Sequence, residues 1–432
     1  MKTTHATTQL VLSIALASAA LVGCGNGDDA GPAATAKADA TYYRDLEPLV
    51  ADKCVGCHTE GGIAPFSLET YDDVKAMLGP IRAAVASRTM PPWLADPGCS
   101  QYEGDRSLTD DQIATVTGWI DRGAPAGDPR EAAAEGGNSE QGLSRVDRTL
   151  TMPVAYTPQI APDDYRCFLI DWPESHSTFV TGFRANPGNA ATVHHVIAYL
   201  IPPNSVQKYD DLDEQDETAG YTCFGGPGGG IDPNTRFIGS WAPGARGGDL
   251  PEGTGLRVEP GSKIALQVHY NSKAGQDAAP DKTSIDVKLD DEVAKEGTWQ
   301  FFTDLQWVLG TGMEIPAHTA DVTHSYAMDP TPMISQSGPF TIHEAGLHMH
   351  THGRESRLAI ERAGGADECI LSISDWNFHW QGTYALGAPK TFQPGDQLSI
   401  SCTFDNETAQ DLAWGEGTGD EMCLGLVYYT VP

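Results

Sequence analysis

The chain is 432 residues long, more than a single hydrophobic core accommodates, so several domains are expected. Lys and Arg number 27 against 59 Asp and Glu, a formal charge of −32, and a polyanion of this strength argues against nucleic acid as a partner. The 47 Gly and 29 Pro, with short apolar runs between them, favour turns and strands over long helices.

Residues 1–23 read as an export signal. Lys2 gives a weakly basic start, and Leu10–Val22 is apolar but too short to span a bilayer. The sequence Leu21-Val22-Gly23-Cys24 resembles the lipobox of bacterial lipoproteins, which implies cleavage before Cys24, acylation of its sulfur and a membrane attachment through lipid. Gly25 stands where an inner-membrane retention Asp would, so an outer-membrane address facing the periplasm or the cell surface is expected. An ordinary secretory signal with an incidental cysteine is the alternative, and it too exports the chain. Residues 24–40, rich in Gly, Ala and Asp, read as a flexible tether.

Residues 41–130 carry Cys54-Val55-Gly56-Cys57-His58. Two thiols at this spacing can form thioethers to the two vinyl groups of haem, and the adjacent His58 supplies the proximal iron ligand. A redox CxxC belongs instead in a βαβ unit, and none is visible around it. Helices are expected over Tyr42–Ala51, over Tyr71–Ser87, and after the capping-box sequence Thr109-Asp110-Asp111-Gln112. Three helices around one haem resemble the cytochrome c fold. Met90, in a loop stiffened by Pro91 and Pro92, is the expected sixth ligand, and Met77 is its competitor on an apolar helix face. A Met–His pair suits electron transfer, whereas an open sixth position would suggest a gas sensor.

Residues 131–147 form a second linker. Beyond them short apolar runs such as Ser177–Phe183, Thr192–Ile201, Lys263–Tyr270 and Leu424–Val431 alternate with Gly-, Pro- and Asp-rich turns. That pattern is all-β, most simply two sandwiches at 148–292 and 293–432. The acidic stretch Asp210–Glu217 reads as a solvated loop.

Histidines recur within these strands. His194 and His195 are adjacent, and both reach one metal only at a bulged, twisted or edge position. His269 ends a strand whose Ile264, Leu266 and Val268 share one face, leaving His269 on the opposite, polar-facing side. His348-Met349-His350-Thr351-His352 places three imidazoles on one face of a strand. A lone strand histidine is usually packing or surface, but three clusters together point to metal. Imidazole donors suit copper or zinc, no HExxH motif is present, and a thioether from Met422 would favour Cu(I).

Thr192–Ile201, Leu266–Tyr270, Leu347–Arg354 and Asp420–Tyr429 resemble, in this order, four segments of the copper type II ascorbate-dependent monooxygenases. That family includes the peptidylglycine α-hydroxylating and dopamine β-monooxygenases. The resemblance implies two jelly-roll sandwiches, each with one copper, facing across a solvent-filled cleft. It implies an electron-transfer copper on His194, His195 and His269, and an oxygen-activating copper on His348, His350 and Met422, the catalytic site. His352 has no counterpart among the ligands. The resemblance further implies a disulfide between Cys402 and Cys423. Cys167–Cys223 is a weaker expectation, and Cys99 and Cys369 are unassigned. Leu426 stands where the peptide and catecholamine enzymes carry a Tyr near substrate, which makes a peptidylglycine substrate doubtful.

The expectation is a multidomain protein, a small all-α cytochrome c-like domain followed by two all-β jelly-roll sandwiches, with two copper ions and one covalent haem c. It would hydroxylate a C–H bond of a small organic or peptide-like substrate with O2, drawing electrons from an external donor through the haem to the copper at His194, His195 and His269. A non-catalytic haem/copper electron-transfer or copper-binding lipoprotein is the alternative.

Overall fold

The computed structural model describes residues 35–60, 64–132, 142–223, 226–230, 232–242, 245, 247–272, 279–415 and 417–432. Cys24, the export signal and most of both linkers lie outside them. Among the described residues no helix is long and apolar enough to cross a membrane.

The first part is helical. A π-helical turn at Tyr42–Leu46 runs into α1 (Glu47–Lys53), followed by α2 (Tyr71–Ala76), α3 (Leu78–Ala86) and α4 (Asp110–Asp121). The single helix expected over Tyr71–Ser87 breaks at Met77, because the Pro80 ring would meet the Ala76 carbonyl one turn earlier and Pro80 has no N–H to offer it. Both α2 and α4 open with reciprocal capping boxes, Thr70 with Asp73 and Thr109 with Gln112. Their apolar faces meet around Trp119, Tyr42, Leu46, Val74 and Val116.

The strands follow. The N-terminal half holds β1 (Arg148–Thr151), β2 (Asp163–Asp171), β3 (Thr178–Asn186), β4 (Val193–Ile201), β5 (Tyr221–Thr222), β6 (Arg236–Trp241), β7 (Gly248–Asp249), β8 (Thr254–Val258), β9 (Lys263–Asn271) and β10 (Ser284–Asp290). The C-terminal half holds β11 (Lys295–Phe302), β12 (Thr319–Met328), β13 (Phe340–His348), β14 (Gly353–Glu361), β15 (Glu368–Ile373), β16 (Thr383–Phe392), β17 (Gln397–Asn406) and β18 (Leu424–Thr430).

They form sandwich-like layers from three sheets. A five-stranded sheet β5-β2-β9-β4-β6 belongs to the first half and a four-stranded sheet β12-β17-β14-β15 to the second. The facing layers of both halves are one continuous nine-stranded sheet, β1-β10-β3-β8-β11-β18-β13-β16 with β7 beside β3. The join is a short parallel pair, Lys295 opposite Thr254 and Glu296 opposite Gly255. Two large cores fill the layers, one around Phe168, Val196, Leu266 and Val287, the other around Phe340, Leu358, Ile400 and Phe404.

The acidic stretch after β4 is a helix, α5 (Val206–Gln215), rather than a solvated loop. Its first turn follows Ser205, Tyr209 packs inward, and its acids are matched by cations. Lys263 Nζ lies 2.7 Å from Asp210, and the buried Arg166 guanidinium donates to Asp216 at 2.9 Å.

Three disulfides cross-link the fold: Cys167–Cys223, Cys402–Cys423 and Cys99–Cys369. The third joins the segment after α3 to the start of β15. Around it the chain from Trp93 to Glu103 leaves the helices and lies along β15 and β16. The Asp96 carboxylate accepts from the Ser372 and Ser374 hydroxyls, Tyr102 pairs with Leu386, and Trp93 meets Tyr384 edge-on at 5.0 Å.

Candidate metal centres

The first cluster rests on two neighbouring central strands. β4 and β9 pair antiparallel, and their register slips between Val193 and His195, so that His195 stands opposite His269. The slip removes the geometric objection to an adjacent pair, since His194 at the bulge turns to the same side as His195. His195 Nδ1 lies 3.5 Å from His194 Nδ1 and 3.4 Å from His269 Nδ1. One potential ligand atom from each ring falls within 4.8 Å of the others.

His269 does not face a polar surface. It is 1% exposed, because the five-stranded sheet is covered on both faces, Ile264, Leu266 and Val268 by one core and Ala265 by another. The Tyr165 ring on β2 stacks on it at 4.0 Å, almost parallel. Its Nε2–H donates to Asp163 Oδ1 at 2.9 Å, the acceptor-only carboxylate fixing the tautomer and leaving the Nδ1 lone pair aimed at the cluster. Asn271 Nδ2 donates to the same oxygen, and Thr418 Oγ1, from the other half of the molecule, reaches Asp163 Oδ2 at 3.4 Å. Burial opposes ionisation of Asp163, but the hydrogen bonds from Asn271 and His269 prevail and hold the carboxyl below its usual range.

Burial pushes His194 down to about 4 and His195 well below its ordinary value. It also lowers His269, against the pull of Asp163. Three neutral imidazoles with converging lone pairs are what a borderline metal ion such as copper needs, so the donor set fits it.

The second cluster lies at the end of β13. His348 is the last strand residue, while His350 and His352 lie beyond it, so the three imidazoles do not share a strand face. The His348 and His350 rings are 5.0 Å apart and nearly perpendicular. His348 Nδ1–H donates to Gln381 Oε1 at 2.5 Å, and His350 Nδ1–H donates to the Asp420 carbonyl at 3.0 Å. Both Nε2 atoms are thereby left as acceptors. Burial pushes His348 to about 3 and also lowers His350.

Met422, 7% exposed, follows Glu421 in a loop braced by the Cys402–Cys423 disulfide. The fully buried Glu421 fastens the two loops together. Its carboxylate accepts from the His350 amide at 2.9 Å and the His352 amide at 2.6 Å. Burial raises the Glu421 carboxyl to about 7 despite these bonds. His352 thus contributes its backbone. Two neutral imidazoles and a buried thioether again fit copper, with the softer donor favouring Cu(I).

One ring spans the gap between the clusters. Phe378, in the turn between β15 and β16, stacks on His194 at 5.1 Å and meets His350 edge-on at 6.0 Å. Gln381 Nε2 holds the Phe378 carbonyl at 2.8 Å. The solvent-filled cleft expected between the sites is therefore bridged by a phenyl group. Leu426, on β18, packs at the edge of the core around Tyr199 and Trp299.

In the helical part, Cys54 and Cys57 follow directly on α1 and form no disulfide. His58 Nδ1 lies 3.1 Å from the Phe66 carbonyl, which leaves Nε2 available to a metal. Burial raises the Cys54 thiol to about 12, unlike the low-pKa thiolate of an exchange motif. These residues fit covalent haem. Met90 is half-buried after α3, its amide bonded to the Ala84 carbonyl, whereas Met77 packs against the helical core.

Sequence reasoning missed Asp163, Gln381, Glu421 and Phe378. Glu421 lies inside the segment Asp420–Tyr429, where only Met422 drew notice; Gln381 and Phe378 sit in no motif, and Asp163, two residues before Tyr165 on a strand paired with β9, carried a signal only through register.

With this geometry in hand, comparison with known proteins is direct. Residues 149–277 match the profile "Copper type II ascorbate-dependent monooxygenase, N-terminal domain", and 304–432 match its C-terminal domain. The chain belongs to this family. Human DBH-like monooxygenase protein 1 is 23% identical over 353 residues, covering 75% of this chain and 56% of that protein. Human dopamine beta-hydroxylase is 26% identical over 250 residues, covering 56% of this chain and 39% of its own length. The chain thus spans only about half the length of the curated relatives it matches. Residues 35–132 lie outside both profiles, so this copper monooxygenase family member carries its helical segment as an addition to the two matched domains.

Proposed function

We propose that the chain is an exported copper monooxygenase that hydroxylates a C–H bond of a small organic substrate. The reaction is R–H plus O2, two electrons and two protons, giving R–OH and water. The observation that carries this reading is the pair of buried, neutral imidazole clusters separated by one phenyl ring.

His194, His195 and His269 would hold the electron-transfer copper, and His348, His350 and Met422 the copper at which O2 reacts. Copper at these positions supplies one-electron transfer and oxygen activation. The chain supplies the rest. Asp163, Gln381 and the Asp420 carbonyl orient the ligand rings. Glu421 holds the His350 loop against the Met422 loop, and Phe378 packs between His194 and His350. Leu426 would offer no polar partner to a substrate carboxylate, which favours a substrate without one at that end.

Cys54 and Cys57 would carry haem, with His58 and Met90 as its axial ligands. This part would take electrons singly from an external donor, a cytochrome c-like role. The three disulfides suit an oxidising compartment, in keeping with lipid attachment at Cys24.

The test is metal and isotope analysis of the purified protein. Two coppers and one haem per chain, and one 18O atom from 18O2 in the product, are expected. Full copper loading without any oxygen incorporation across a substrate panel would leave the electron-carrier alternative.

A further inference from the structure

The helical segment is fastened to one sandwich, and it is not the one expected to receive its electrons. The contacts of the arm Trp93–Glu103 land on β15 and β16, next to the strand that ends at His348, rather than on β2, β4 or β9. The Cys99–Cys369 disulfide makes this attachment covalent. Backbone bonds from Asp96 to Ser372 and from Glu103 to Ala385 extend it.

A series of contacts runs from beside the CxxCH motif to β16, the neighbour of the strand that ends at His348. Lys53, the residue before Cys54, donates its Nζ to the Asp105 carbonyl at 2.7 Å. The neighbouring Arg106 guanidinium sits over the Trp93 ring at 5.8 Å. Trp93 meets the buried Tyr384 at 5.0 Å, and Tyr102 closes on the same ring at 5.6 Å. Tyr384 stands opposite Ala345 on β13 and three residues from Gln381, whose Oε1 accepts from His348 Nδ1. Met90, at the other end of the helical domain's loop, is three residues from Trp93.

We propose that this arm delivers electrons from the helical domain to the His348/His350/Met422 site directly, with Trp93 and Tyr384 as the contact residues. This rests on the haem and copper assignments proposed above. In the step a ferrous haem loses one electron and a cupric ion at that site gains it; no bond breaks and no proton moves. The arrangement removes the need for the first electron to cross Phe378 from the His194 cluster.

The experiment uses the full-length holoprotein without O2 or substrate. The haem is reduced by a flash-generated ruthenium photoreductant, its reoxidation followed optically, and Cu(II) loss followed by freeze-quench EPR. In His194→Ala, with copper retained at the second cluster, a concentration-independent reoxidation phase is expected to persist. In His348→Ala, with copper retained at the first cluster, it should vanish. Trp93→Leu should slow the phase at least tenfold and Trp93→Phe should restore most of it, while the haem spectrum and copper content stay unchanged. A phase that survives in His348→Ala and vanishes in His194→Ala would overturn the proposal while leaving the haem and copper assignments intact. Full speed in Trp93→Leu would remove the aromatic contact from the route. A protein without covalent haem would overturn the assignment and this inference together.

Discussion

The two sandwiches present histidines in the same manner and support them differently. In the N-terminal one, His269 leans on a carboxylate, Asp163, which is itself fixed by Asn271. In the C-terminal one, His348 leans on an amide and His350 on a backbone carbonyl, with a thioether nearby. An anionic partner raises imidazole basicity and favours the higher metal charge, whereas neutral partners and a soft sulfur leave the ligand set electron-poor. The redox character of each site is thus written as much in what the rings donate to as in the rings themselves.

The largest effect that would break this comparison is expected at Glu421. Glu421→Ala leaves the buried His350 and His352 amides unpaired, at about 1–3 kcal/mol each, so the C-terminal half should lose roughly 4 kcal/mol in urea unfolding. A loss under 1 kcal/mol would show that water replaces the carboxylate.

Acid should strike the N-terminal half through another carboxylate. Arg166 holds Asp216 well below its usual range, so the stabilisation is fully present above the unfolded value near pH 4 and is lost as pH falls further. Asp216→Asn should cost about 2 kcal/mol at pH 7 and flatten the dependence of the unfolding midpoint on pH below 4. An unchanged acid slope would place the sensitivity elsewhere.

Asp163→Asn should weaken copper at the His194 cluster about 10- to 100-fold in competition titrations and raise its reduction potential, leaving the other site within twofold. Equal weakening of both sites would mean that Asp163 acts through Thr418 on the whole interface.

The smallest effect is expected at Phe378. Phe378→Ala removes stacking contacts worth about 1 kcal/mol, so stability should barely change. Pulsed EPR between the two cupric ions should nevertheless report a longer or broader distance. An unchanged distribution would show that the ring fills the gap without holding it.

Much of the fold and the ligand set was readable because it lies in periodic segments. Lys263–Asn271 alternates as strands do, Val193–Ile201 is a short apolar run, and the doubled histidine announced the irregularity that the β4–β9 register slip supplies. The capping box at Thr109 marked the start of α4. What escaped reading depends on distant partners. His269 looked polar-facing because nothing in its own strand reveals the layer that covers it. The stretch Asp210–Glu217 looked like a solvated loop because Lys263 and Arg166, which neutralise its acids, lie 53 and 50 residues from Asp210 and Asp216. Cys99 could not be matched to Cys369 across 270 residues without the arm that carries it. Gln381 and Phe378 act from a turn whose sequence has no period to read.

The parallel join between β8 and β11 has a mechanical consequence. Tyr428 on β18 adds a bond across it to Thr254 at 3.0 Å, and its ring lies so close over Gly297 that a methyl group there would collide with the phenol oxygen. A one-residue slip along this seam would turn every inward side chain outward, so the register fixed here also fixes which residues of the two halves face one another.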